Sequence, residues 1–145
     1  DRLTPSQDHA ISIKACLGIE PLEVYKGRTD FLAVVEDEET VKSIHPDMRE
    51  TSHLPARGLI VTAKGNDVDF VSRFFAPQSG IDEDPVTGSA HTSLIPLWSA
   101  KLGKIEMTAK QLSQRGGALW CVNNGERCQI GGRAKLYLTG EIQSE

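Results

Sequence analysis

The segment from Gly88 to about Lys101 does most to limit what this chain can fold into. It reads as a helix, yet Ala90, Leu94, Ile95, Leu97, Trp98, Ala100 and the following Leu102 fall on more than one of its faces. A helix that is apolar most of the way round has to be buried on most sides. Roughly fourteen helical residues span about 21 Å, close to the length of a short strand, so one sheet can wrap around it. Trp98 and the leucines read as plain core. Pro96 removes the bond to the Thr92 carbonyl and predicts a bend. Gly103 is the expected C-cap, with Lys101 and Lys104 suited to the negative end of the helix.

The remaining segments supply strands for such a wrap. Leu22 to Tyr25 and Phe31 to Val35 read as strands around the turn Lys26-Gly27-Arg28. Gly58 to Ala63 and Val68 to Phe75 form a predicted hairpin across Lys64-Gly-Asn-Asp67. Ile105 to Gln111, Ala118 to Val122, Arg127 to Ile130 and Ala134 to Leu138 complete an antiparallel set. Thr4-Pro5 reads as an N-cap with proline at the first helical position, predicting a helix from Pro5 to Leu17 that stops at Gly18. Shorter helices are expected over Asp37 to Ile44 and Asp47 to Leu54. The fold class expected is α+β: a curved, mostly antiparallel sheet around a central helix, in one domain over residues 1–145.

The loop that leads into the central helix, Gly80-Ile-Asp-Glu-Asp-Pro-Val-Thr-Gly-Ser-Ala-His91, carries the chemistry. A helix start has unpaired N–H groups and the positive end of the macrodipole, so it can receive an anion. Gly88 lacks a Cβ and lets a ligand approach the backbone. Asp84, a few residues earlier, is then placed beside whatever acidic group binds. Gly88, Ser89 and His91 are the candidate substrate-binding residues and Asp84 the candidate catalytic one. His91 either contacts substrate, orients Asp84, or simply bonds the backbone as a neutral imidazole. Asp82 and Glu83 read as solvated loop charges. Arg73 and Arg115 are the cations expected near the site, or else partners of the acidic loop. The same loop also has a purely structural reading, because Asp-Pro starts turns and Thr or Ser caps helices.

Composition sets limits on partners. A net charge of −4 gives no electrostatic footprint for nucleic acid, and no apolar run approaches the ~18 residues that span a membrane. The three cysteines, at 16, 121 and 128, lack metal-ligand spacing, and no metal or other cofactor is expected. With no secretory signal, the odd count suggests a reducing cytoplasm. If Asn124-Gly125 is a two-residue turn, Cys121 and Cys128 face each other across a hairpin.

Arg73-Phe-Phe-Ala-Pro77 followed by Glu83-Asp-Pro-Val-Thr-Gly-Ser-Ala-His91 resembles the signature of the PhzF-like (phenazine biosynthesis-like) family. Further matches follow at Leu102-Gly-Lys104, Gln111-Leu-Ser-Gln-Arg-Gly-Gly117 and Gly140-Glu-Ile142. The similarity is close from about residue 58 to 142 and loose before that. The resemblance implies the diaminopimelate epimerase fold, in which two similar halves each wrap a sheet around a helix and share a cleft. It implies a cofactor-independent isomerase or epimerase that moves a proton on a small carboxylate substrate. Asp84, Gly88 and Ser89 match second-half site residues, whereas the first-half glutamate and Gly-His element have no counterpart. Diaminopimelate epimerases use paired cysteines, but this chain has none between 16 and 121 and reads Pro-Val-Thr-Gly at the corresponding turn.

A full family member is roughly twice this length, so the chain resembles a C-terminal half, as a separate polypeptide or a truncated piece. On that basis it is expected to be catalytically incomplete alone, and to expose an apolar strip beside residues 80–89 that a first-half domain or self-association covers. Two other classes stay open: a non-catalytic small-acid binding module, and a hotdog-type acyl-ester hydrolase, which also wraps a sheet around a helix.

Overall fold

A computed structural model describes residues 2–143 as one nine-stranded sheet with helices on both faces. In chain order the elements are β1 (Thr4–Pro5), α1 (Ala10–Leu17), β2 (Glu23–Lys26), β3 (Asp30–Val34), α2 (Glu38–Ser43) and α3 (Met48–Ser52). They continue with β4 (Gly58–Lys64), β5 (Phe70–Ala76), β6 (Ile81–Glu83), α4 (Gly88–Leu102), β7 (Glu106–Gln111), β8 (Gly117–Asn123) and β9 (Cys128–Gly132). Strands run in the order β1-β2-β3-β4-β5-β7-β8-β9, with β6 on β5 as a branch. All pairs are antiparallel except β3 with β4 and β5 with β7.

The helix α4 lies against one face of this sheet. Its Ala90, Leu94, Ile95 and Trp98 share an apolar cluster with Leu32, Ile60, Phe70, Phe74, Met107 and Leu119, drawn from five neighbouring strands. Five strands span about 19 Å at the usual ~4.8 Å spacing, well beyond the ~10 Å width of a helix, so the sheet has to curl around it. Helices α1, α2 and α3 cover the other face, where Ile13, Leu17 and Val41 meet Phe31, Leu59 and Phe75. Residues 30–34 of β3 are all buried because both of their faces are covered. Gly103, at φ 65, ends α4 and donates its N–H to the Ser99 carbonyl. Lys101 reaches Glu23 and Lys104 reaches Asp69, each at 2.5 Å.

Three expectations need correction. Thr4 and Pro5 do not begin a helix. They pair with Lys26 and Tyr25 at the sheet edge, held by Thr4 Oγ1 to the Lys26 carbonyl and the Ser6 N–H to the Val24 carbonyl. A short 3₁₀ turn over Gln7–His9 then precedes α1. Residues 134–138 form no strand, and Leu136, Tyr137 and Leu138 are 83%, 99% and 78% exposed. They pair with no strand among the described residues. Cys121 lies opposite Ile130, and Cys128 opposite Asn123, so the two thiols are offset by two residues rather than face to face. Both are free.

Candidate active site at the start of α4

The site forms where the sheet forks. The first residues of β5, Phe70–Ser72, pair with β7, whereas Phe75 and Ala76 pair with β6. Between these partners the Asp84 N–H reaches the Phe74 carbonyl at 3.0 Å, and the Leu112 N–H reaches the Ser72 carbonyl at 2.8 Å. The chain leaves β6 through this gap and turns into α4. One buried side chain fixes that turn. Gln111 accepts the Thr87 N–H at 2.8 Å, and donates to the Asp84 carbonyl at 2.7 Å and to Thr87 Oγ1 at 3.1 Å. Ser113 adds a bond to the Pro85 carbonyl at 2.8 Å. Gly117 allows Val86 to sit against β8, since a Cβ there would lie 2.4 Å from Val86 Cγ2.

Thr87 occupies the N-cap position of α4 without capping it. Its side chain makes no bond to the first N–H groups of the helix. The Thr87 hydroxyl donates instead to Asp84 Oδ2 at 2.6 Å. Because Gln111 already donates to Thr87 Oγ1, the threonine proton is committed to Asp84. Asp84 Oδ1 takes no described hydrogen bond. Gly88 and Ser89 are exposed, and their N–H groups point out of the first helical turn with no intrahelical partner. A Cβ at Gly88 would meet nothing within 4 Å, so the chain's own packing does not require glycine there.

His91 is placed differently from a substrate contact. Its ring is fully buried against Phe70, and Nδ1 donates to the Thr87 carbonyl at 2.8 Å. Burial pushes its pKa below the ordinary 6.5, while the bond to Thr87 pulls the other way. The neutral, buried imidazole braces the turn from behind, and its Nε2 has no hydrogen-bond partner among the described residues. The bond to the Thr87 carbonyl matches the backbone-bonded reading of this residue.

Arg73 follows the second of its two readings, a partner of the acidic loop. Arg73 is a structural clamp: it grips Glu83 through two bonds of 2.7 and 3.0 Å, and reaches the Ile44 carbonyl at 2.7 Å. Glu83 is thereby tied down rather than solvated, and Asp82 stays exposed. Arg115 is exposed and lines a cleft of about 850 Å³ with Val86, Gly88, Gly117 and Ile130. Gly88 lines this cleft and Asp84 does not. The cation at the other flank is Arg57, absent from the sequence expectations, which donates to Ser89 Oγ at 3.0 Å. Asp84 is close enough for its charge to raise the Arg57 pKa, behind the larger effect of Asp30. Arg57 is 32 residues from Ser89 in sequence, so no local pattern links them.

A curled sheet with one long helix against one face, three short ones against the other, and a glycine-serine helix start beside an aspartate defines the architecture. The chain belongs to the phenazine biosynthesis-like family, whose profile matches residues 4–140. It is 50% identical over 133 residues to an uncharacterized isomerase of Pseudomonas aeruginosa, covering 92% of this chain and 51% of that relative. Among solved structures, a PhzF-family phenazine biosynthesis protein of Enterococcus faecalis superposes with a TM-score of 0.84 at 48% identity, over 88% of this chain and 49% of that one. A PhzC/PhzF protein of Clostridium difficile gives 0.82 at 38% identity, over 97% and 56%. The chain thus spans about half the length of the relatives it matches. The family match also extends the likeness into the first 57 residues, where the sequence alone showed it only loosely. Among the described residues no helix is long and apolar enough to cross a membrane.

Proposed function

We propose that this chain is one half of a cofactor-independent isomerase acting on a small carboxylate, and supplies the carboxylate grip and one proton-handling group. The observation that carries the reading is the uncapped start of α4, with Thr87 turned to Asp84. The Gly88 and Ser89 amides receive the substrate carboxylate. They also offset the negative charge that develops when the neighbouring C–H is deprotonated. Asp84, with Oδ1 free, holds or passes a proton at the edge of that pocket. The principal base is a glutamate of the partner half. It removes the proton next to the carboxylate, the electron pair moves into an enolate-like system, and a proton returns at a different carbon.

Exposed apolar residues fit a partner-half surface. Ile81 beside the acidic loop is 50% exposed, Ile130 in the cleft 38%, and Leu136, Tyr137 and Leu138 more so. Family membership favours this reading over an acyl-ester hydrolase. The binding-module alternative keeps the same amides and dispenses with proton transfer. Deuterium incorporation separates the two. In D₂O with a panel of small carboxylic acids and an added first half, mass spectrometry should show solvent deuterium entering carbon, and Asp84→Asn should suppress it. Tight carboxylate binding without any exchange, with both halves present, would leave only the binding module.

A further inference from the structure

Arg57 is built into the fold with more constraint than a surface arginine needs. Its Nε donates to Asp30 Oδ1 at 2.9 Å and its Nη2 to Asp30 Oδ2 at 2.5 Å, a two-point fork. The Asp30 side chain is 5% exposed, and that of Arg57 is 39% exposed. A buried carboxylate depends on its partner, so the guanidinium is not free to swing away. The Phe74 ring, 5.2 Å beneath it, adds a second support. Held this way, Nη2 makes a third contact, to Ser89 Oγ. Nη1 donates to no described residue.

We propose that Arg57 is a ligand-binding residue that receives the carboxylate of an anionic substrate at the start of α4, with Asp30 as its positioning residue. This rests on the reading that the Gly88 and Ser89 amides bind a carboxylate. Beside the Gly88 and Ser89 amides, the Arg57 guanidinium and the Ser89 hydroxyl can both donate to an arriving anion. A guanidinium can only donate, so its bond to Ser89 Oγ occupies a lone pair and leaves the serine proton free to turn outward. An arriving carboxylate then meets two backbone N–H groups, one hydroxyl proton and the remaining Nη1 of an arginine. Donors converging from an arginine, a serine and two backbone amides suit a two-oxygen carboxylate better than a single-atom anion. Selectivity for a carboxylate over chloride, and over the neutral amide of the same shape, is the expected signature.

The test uses the full chain, titrated with sodium acetate while the Gly88 and Ser89 amide resonances are followed. Sodium chloride and acetamide serve as controls, and a thermal melt of each variant reports its fold. Wild-type amides should shift saturably with acetate and weakly with either control. Arg57→Gln should weaken acetate binding about tenfold or more. Arg57→Lys, which keeps the charge and loses the fork, should fall between the two. Were folded Arg57→Gln to bind acetate as wild type does, Arg57 would be only a partner for Asp30 and the carboxylate site would stand without it. Should Arg57→Gln not fold, an unchanged affinity in Arg57→Lys overturns the role of the guanidinium. Wild-type amides that ignore acetate overturn the carboxylate site itself, and this role with it.

Discussion

The helices of this protein begin in two ways. Asp37 caps α2 by accepting the Thr40 N–H, and Asp47 caps α3 by accepting those of Arg49 and Glu50. These helices have six and five residues, too few to hold together through propagation alone, and the caps secure them. The longest helix, α4, has fifteen residues and no side-chain cap. Burial along its length stabilises it, so its start can stay open, and the adjoining loop is held by Gln111 and His91 instead. Its far end is closed at Gly103. An open start on the most deeply anchored helix is a rigid feature, suited to a preorganised site. A capped start on a short surface helix serves the helix itself.

The largest effect expected from this contrast falls on the loop side. Gly117 and Gly88 flank the same turn with opposite demands, one crowded and one open. Gly117→Ala puts a methyl 2.4 Å from Val86 Cγ2, and relieving that overlap should cost about 1–3 kcal/mol. A urea midpoint gives the value, and adding Val86→Ala should recover most of it. A Gly117→Ala protein as stable as wild type would mean that the turn yields, and the rigid-start argument would weaken.

Much of the fold is legible in sequence because burial writes itself as pattern. The all-round apolar face of α4, the β-branched and aromatic runs of β4 and β5, and Gly103 as a stop each have a local cause. The aspartates opening α2 and α3 are equally local signals. What is not legible depends on distant neighbours. Thr4-Pro5 carries a helix-start signal, yet the edge of β2 offers hydrogen bonds that outweigh it. Residues 134–138 have strand character, yet they pair with none of the described strands. At the site, Asp84, Gly88 and Ser89 stand out because they are contiguous. Arg57 and Gln111 reach the same turn from other strands, and only the fork in the sheet brings them there. His91 is visible as a residue, but its burial is not.

The next effect is a pH dependence from His91. Burial favours the neutral ring in the fold, so on acidification the unfolded chain takes the proton first. The stabilisation is fully present above the unfolded value near 6.5 and is lost as pH falls from there toward the lowered folded value. The slope can reach ~1.4 kcal/mol per pH unit. Chemical denaturation between pH 7 and 5 should show wild type losing stability faster than His91→Gln. Parallel curves would mean that the ring titrates freely and is not sealed behind the turn.

A smaller pair of substitutions compares the two kinds of helix start directly. Asp47→Ala removes a cap that accepts two N–H groups, and should cost ~1 kcal/mol with acetate binding at Gly88 and Ser89 unchanged. Thr87→Val removes no cap. Its cost in stability should arise from the broken bonds to Asp84 and Gln111, and acetate binding should change with it. If Asp47→Ala and Thr87→Val affected binding equally, the distinction between structural and open starts would fail.

The smallest effect on stability should accompany a clear one on binding. Gly88 sits in the first turn of α4 without a left-handed backbone, and an added Cβ there meets nothing within 4 Å. Alanine is better than glycine in a helix by about 0.5–1 kcal/mol, an upper limit at a terminal position. By packing alone, Gly88→Ala should therefore be neutral or slightly stabilising. If the open start receives a carboxylate, however, the methyl stands where the ligand approaches the backbone, and acetate affinity should fall. A protein that melts no lower than wild type but binds acetate more weakly would show that glycine serves the site rather than the fold. Unchanged binding in a Gly88→Ala protein would mean that the ligand does not approach over this residue, leaving Ser89 and Arg57 to define the pocket.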